Sequence, residues 1–198
     1  MSEEAGRTKG LGWAELIRWY ERTQGREKLL AVVARMPEKW RRGLDVNHKV
    51  LGILDGTWYL EEQRNVFFDA LTAGTTLLQR QAMARACSTA VMQHSLRGIH
   101  RMIFNMMATP ERFVKYAQRL WDVHHDTGRL RMKLLSPTSA EAAVLDWPTH
   151  HPFACMMNHY SCNATFEAMG CFDLSDRRVC IADGAPECVG IYYWRERK

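Results

Sequence analysis

From Trp13 to His125 the apolar residues recur at helical spacing. Trp13, Leu16, Ile17 and Tyr20 share one face, and Leu29, Leu30, Val33 and Met36 share another before Pro37 stops the run. Spacing of this kind marks an amphipathic helix laid against a core, so two short helices are predicted. Trp58-Tyr59-Leu60 is expected to open a third, carried on by Val66, Phe67, Ala70 and Leu71. The stretch 77–107 has Gly98 as its one breaker and reads as a long central helix. Thr109-Pro110-Glu111 has the chemistry of a helix start: a hydroxyl for an orphan amide, proline at the first helical position and an acid beside the positive end of the dipole. Phe113, Ala117, Leu120, Trp121 and His124 continue that helix on one face, with Gly128 expected as its stop.

After Gly128 the period falls to two. Leu130, Met132 and Leu134 alternate with Arg129, Arg131 and Lys133, the pattern of a half-exposed strand. Pro137-Thr138-Ser139 can turn the chain into a second strand from Ala142 to Leu145. Phe153, Met157, Tyr160, Ala164 and Ala168 restore helical spacing, and two strands, 178–182 and 189–194, follow around the turn Asp183-Gly184-Ala185-Pro186. The expected class is α+β: an N-terminal helical region, then a strand-strand-helix-strand-strand unit. We divide the chain into a helical region at 1–75 and a core at 76–198, within one compact unit.

With 46% hydrophobic and 25% charged residues over 198 positions, the chain has a globular balance and should bury roughly 70% of its unfolded surface. No apolar run reaches the ~20 residues of a membrane span, and the first ten residues are polar and mixed in charge, unlike a secretory signal. A cytoplasmic protein without membrane contact is expected. The net charge of +5 comes from basic residues scattered among acids. The densest cluster, Lys39-Trp40-Arg41-Arg42, reads as a solvated helix end, so direct nucleic-acid binding is not expected. A phosphate-cradling glycine loop, a Gly-x-Ser-x-Gly elbow and a His-Glu-x-x-His helix are all missing from the sequence, which points away from an enzyme.

Six cysteines occur, five of them between Cys155 and Cys188. Cys180 and Cys188 flank the last hairpin turn, and Cys155 opens the helix expected to pack on that sheet. A reduced cluster of this kind suits Zn²⁺ better than a disulfide. Cys87, Cys162 and Cys171 are expected to fill the core as small hydrophobes. The pairs His124-His125 and His150-His151 cannot chelate as i, i+4 pairs do and are read as surface.

The segment from Pro152-Phe153-Ala154-Cys155 through Met169-Gly170 to Cys180-Ile181-Ala182-Asp183-Gly184-Ala185-Pro186-Glu187-Cys188 resembles the 4-vinyl-reductase-type small-molecule-binding domain. That domain also forms the sensory part of phenol-responsive bacterial activators, and the helical part resembles small myxobacterial proteins that carry it. The resemblance implies a four-stranded antiparallel sheet packed on helices around an apolar cavity, a fold akin to haem nitric-oxide-binding domains. It also implies zinc on Cys155, Cys180, Cys188 and an acid three residues before the second of these. Arg177 stands there instead, so Asp176, another His or water is left to complete the shell. Zinc would be structural, and haem is not expected.

The function expected is therefore a non-enzymatic sensor of a hydrophobic or aromatic small molecule, signalling to a partner protein and forming a homodimer. The alternative is an interaction or scaffold module whose pocket is filled by its own side chains. His94, His100 and Trp121 are the candidate ligand contacts.

Overall fold

The computed structural model describes residues 6–95 and 109–195. Strand β1 (Arg7–Lys9) pairs antiparallel with β2 (Trp58–Leu60), and between them lie helices α1 (Gly10–Gln24), α2 (Arg26–Arg35) and the short α3 (Glu38–Arg41). Helices α4 (Glu61–Thr72), α5 (Leu77–Ser95) and α6 (Pro110–His124) follow. The rest is β3 (Arg129–Ser136), β4 (Ser139–Leu145), α7 (Pro152–Ala168), β5 (Phe172–Val179) and β6 (Cys188–Arg195). The last four strands form one antiparallel sheet in the order β3-β4-β6-β5. This is the α+β class that the change of period predicts.

Three local differences from the sequence pattern have physical causes. Trp58–Leu60 is a strand, because its backbone pairs with Arg7–Lys9, and α4 begins only at Glu61. Helix α6 starts as expected, with Thr109 Oγ1 accepting the Arg112 amide, but it ends at His124 rather than near Gly128. There β1 captures the chain: Thr8 bridges His125, and the Asp126 amide donates to the Arg7 carbonyl. Gly128 then turns the chain into β3 at φ +77°, and a Cβ there would stand 3.1 Å from Trp147 and 3.2 Å from Trp121. Strand β5 occupies 172–179 rather than 178–182. Its half-buried positions include Asp176 and Arg178, so its alternation does not read as apolar against polar.

One core joins α1, α2, α4 and α5 through Trp13, Leu16, Leu29, Val33, Phe67 and Cys87, and reaches Trp121 and Phe153. A second fills the space between α6, α7 and the sheet with Phe113, Phe166, Tyr192 and Trp194. Cys162 and Cys171 belong to this second core, as expected of them. Burying a large apolar side chain contributes about 1.5–3 kcal/mol, so both clusters are substantial sources of stability. Among the described residues no helix is long and apolar enough to cross a membrane. The rest of the long helix expected over 77–107, including His100, lies outside the described residues after Ser95, and so does the side chain of His94.

Candidate functional site

Two features meet where α7 crosses the sheet: a cluster of sulfur and imidazole donors, and a chamber. Pro152 at the first position of α7 and the His151 ring, which accepts the Phe153 amide, fix the start of that helix and place Cys155 in its first turn. Cys188 opens β6, and Cys180 follows the end of β5. The donor atoms of His150, Cys155, Cys180 and Cys188 all lie within 4.8 Å of one another. His150 Nε2 is 3.3 Å from Cys180 Sγ and 3.2 Å from Cys188 Sγ, and the two sulfurs are 3.4 Å apart. The edges of a tetrahedron with 2.3 Å metal–sulfur bonds are about 3.8 Å, so these spacings approach a closed four-coordinate shell.

The electrostatics of the cluster are those of donors crowded together. Hydrogen bonds from Cys155 and Cys188 hold Cys180 far below the ordinary thiol range, while the same contacts push Cys155 far above it. Bonds to Cys180 and Cys188 raise His150 to about 9. Arg178 donates to Cys155 Sγ at 3.5 Å, and the Ile181 amide donates to Cys188 Sγ at 3.4 Å. Negative charge on sulfur is thus supported from two sides.

The chamber has a volume of about 520 Å³ and is walled by α1, α4, α5, α6, α7 and the sheet. Val91, Met92, Leu120, Trp121, Ala142 and Met169 contribute apolar wall. Cys155, Cys188 and Arg178 also line it, so the sulfur cluster forms part of its boundary. Tyr192 lines it too, stacked on His159 with ring centroids 4.9 Å apart. His159 Nε2 faces Asp176 Oδ1 at 2.9 Å, and its Nδ1 meets Tyr192 Oη at 3.0 Å. Donation to Asp176, reinforced by Asn163, holds that carboxyl below its usual range. Burial raises Tyr192.

A second polar network closes the other side. Glu61 is fully buried and accepts from His125 Nδ1 at 2.7 Å, from Trp147 Nε1 at 2.6 Å and from the Thr149 hydroxyl. Arg64 approaches the same carboxylate at 3.4 Å. His125 stacks on Trp121, with centroids 4.1 Å apart, and both line the chamber.

Of the residues singled out by sequence, Cys155, Cys180 and Cys188 are brought together. Asp176 is not with them: it is occupied by His159 and Asn163. Its place is taken by His150, which the sequence reading left on the surface. His150 is half-buried, and His125 and His151 are buried rather than surface residues. Trp121 lines the chamber, its Nε1 donating to the Thr127 carbonyl. Sequence reasoning missed Glu61, Arg64 and His125. The signals available were an acid pair opening a helix and a histidine at a helix end, both commonplace.

No protein-family model matches the sequence, and neither does any curated protein. Solved structures do match. A point mutant of an H-NOX protein from K. algicida, in its Fe(II) unliganded form, has a TM-score of 0.70 at 10% identity, covering 96% of this chain and 97% of that one. An H-NOX protein from S. oneidensis in its Fe(II)NO ligation state has a TM-score of 0.67 at 10% identity, covering 95% and 99%. A third, from work on haem distortion in the H-NOX family, has a TM-score of 0.64 at 10% identity, with 96% of each chain covered. At such identity the likeness is one of fold. It corrects two expectations. The neighbours are H-NOX domains rather than 4-vinyl-reductase-type domains, and matched structures from work on haem redox potential and haem distortion overturn the ground on which haem was not expected.

Proposed function

We propose that this chain is a non-enzymatic small-molecule-sensing module whose chamber takes an apolar ligand, with haem the cofactor to test first. The observation that carries this is the chamber, about 520 Å³ with mostly apolar walls and a few polar groups, the make-up of a small-molecule site. A module with a filled interior, the competing reading, has that volume against it. The division at 1–75 and 76–198 remains part of the proposal, as do signalling to a partner protein and a homodimer.

The residues present suit haem at one point in particular. His125 lines the chamber with Nδ1 held by Glu61, so Nε2 is the nitrogen that can bind iron. A carboxylate behind an imidazole is the arrangement that orients metal-bound histidines. His159 does not suit, because both its ring nitrogens are engaged. Bound haem would supply an iron centre able to take a small gas, while Trp121 and the apolar wall would exclude water. Haemin added to purified protein should give a Soret band saturating at one equivalent. The band should be lost in His125→Ala, or in His100→Ala if the iron ligand comes from outside the described residues. Protein that stays colourless after reconstitution sinks haem. A melting temperature unmoved by any aromatic or aliphatic probe sinks the sensing chamber as well.

The second part of the proposal is a structural divalent cation at His150, Cys155, Cys180 and Cys188. The H-NOX likeness lends it nothing. Its support is the convergence of three sulfurs and one imidazole, the donor set of closed zinc sites. Zinc there would tie the β5–β6 turn to the loop before α7 and hold one wall of the chamber. Native mass spectrometry reads zinc, retained ligand and subunit number together, and a metal-free spectrum of protein purified without chelators would count against the site.

A further inference from the structure

We infer that the outer face of the four-stranded sheet docks an acidic amphipathic helix of a partner protein, seated over β4 between a cationic wall and an apolar one. This rests on the module signalling to a partner, part of the reading above, and names the surface and the chemistry of that contact.

The sheet turns Ala140, Ala142, Tyr192 and Trp194 inward to the second core. Alternation along each strand sends the residues between them outward. On β3 these are Arg129, Arg131 and Lys133, and on β6 they are Val189, Ile191 and Tyr193. Strand β4 lies between the two, and its outward residues Ser139 and Ala143 are short and buried. The register sets Arg131 and Val189 on either side of Ala143, and Lys133 and Ile191 on either side of Glu141. A groove with a low floor therefore runs along β4. Neighbouring strands are about 4.8 Å apart, so β3 and β6 stand about 10 Å from each other, the width of an α-helix. Past β6, Val179 and Arg177 of β5 line a shallow hollow with Val189 and Ile191.

The solvent side of an antiparallel sheet is ordinarily polar. Here one wall is aliphatic and aromatic, with Tyr193 and Val179 exposed, and the other is a run of three cations. Those cations are loosely held. Arg131 lies 3.5 Å from Glu187, Arg129 meets Asp146, and these four side chains are 43–66% exposed; such pairs are weak and exchange for a better-placed carboxylate. Glu141, the acid inside the groove, is neutralised by Lys133 at 2.9 Å. An apolar strip with a positive border is matched by an apolar strip with a negative one. A second copy does not supply it, because turning this face on itself about either in-plane two-fold lays β3 over β3, or over the strand that carries Arg177. Nucleic acid would suit the cations but not Val189 and Ile191. The inward residues Gly190 and Tyr192 of β6 line the chamber, so a helix seated here lies one strand away from the ligand.

Fluorescein-labelled helical peptides of about 18 residues, five turns, test this by anisotropy with the full chain. One carries leucines along a single face flanked by glutamates, the second has lysine for every glutamate, and the third is a scrambled acidic sequence. The acidic helix should bind about ten-fold more tightly than either control, or better, and weaken as salt rises. Arg129→Glu combined with Arg131→Glu should turn the preference toward the lysine peptide, a reversal that unfolding does not produce. Ile191→Thr, which keeps a β-branched residue in the strand, should cost about ten-fold with the acidic helix. Equal binding of the acidic and scrambled peptides overturns the inference, and so does a preference that survives the charge reversal. Either result leaves the chamber standing, since haemin and the apolar probes read it separately. Tighter binding of a single-stranded RNA oligonucleotide, lost in the same double variant, would give the face to nucleic acid and overturn the inference too.

Discussion

Glu61 gathers donors that lie 64, 86 and 88 residues away, so one side chain fastens α4 to the end of α6 and to the loop after β4. Glu61→Gln keeps the shape but leaves Arg64 buried without a counter-charge. Loss of one member of a buried pair costs about 3 kcal/mol, so urea unfolding should show a drop of that order; a change under about 1 kcal/mol would mean that the network is slack. His125 supplies a pH dependence. Burial holds it below the ordinary imidazole value of 6.5, with the Glu61 bond opposing. The unfolded chain therefore binds that proton more readily, and stability present above about pH 6.5 is lost as pH falls toward the folded value. The urea midpoint should decline from pH 7 to pH 5.5, and less steeply in His125→Asn. Asp176, with its depressed folded value, adds a loss at still lower pH. None of this was legible in the sequence. Glu61-Glu62 opening a helix looks like solvated surface, and only partners far along the chain turn the first acid inward. His150 was hidden in the same way, since adjacent histidines in a loop carry no period.

Strand β6 depends on a glycine that its apolar alternation does not announce. A Cβ on Gly190 would stand 2.5 Å from Tyr192 Oη and 2.6 Å from His159 Nδ1. Gly190→Ala should lower stability by about 2 kcal/mol, the usual order for overpacking, and the Tyr192–His159 stack should loosen. The paired turn and helix start that carry the sulfurs lead to another expectation. Cys188→Ser should release zinc and lower the melting temperature, whereas Cys171→Ser, buried in the other core, should leave metal content unchanged. Equal zinc in both variants would remove the site. At this scale the sequence was readable where one face of an element is clearly apolar, as in α1, α6 and β3. It was unreadable at β5, whose inward positions include a carboxylate and a guanidinium, and at β2, whose residue types suit either state until β1 pairs with it.

The α+β class followed from a single change of period near Gly128, because layers of helix and sheet are chosen by which faces must be buried. The chamber had no such signature. Its wall draws on helices and strands from the whole length of the chain, and the cysteine spacing that does stand out drew the comparison toward a different domain. With about a tenth of residues shared, the likeness to H-NOX structures lies in packing rather than in motif. If the chamber takes an apolar ligand, saturation at a hundred times its dissociation constant should stabilise the protein by about 2.7 kcal/mol, read as a rise in melting temperature. The order of the sheet bears on how the protein is made. Strand β6 comes after its neighbours in the chain yet lies between β4 and β5, which do not pair with each other. On the ribosome, then, the earlier hairpin waits with a bare edge and β5 with no strand to join, until synthesis delivers the piece that completes both. Such late, distant pairing is slow and leaves sticky edges open to misassembly, so the nascent protein should lean on chaperones during that interval and become competent to capture a ligand only at its close.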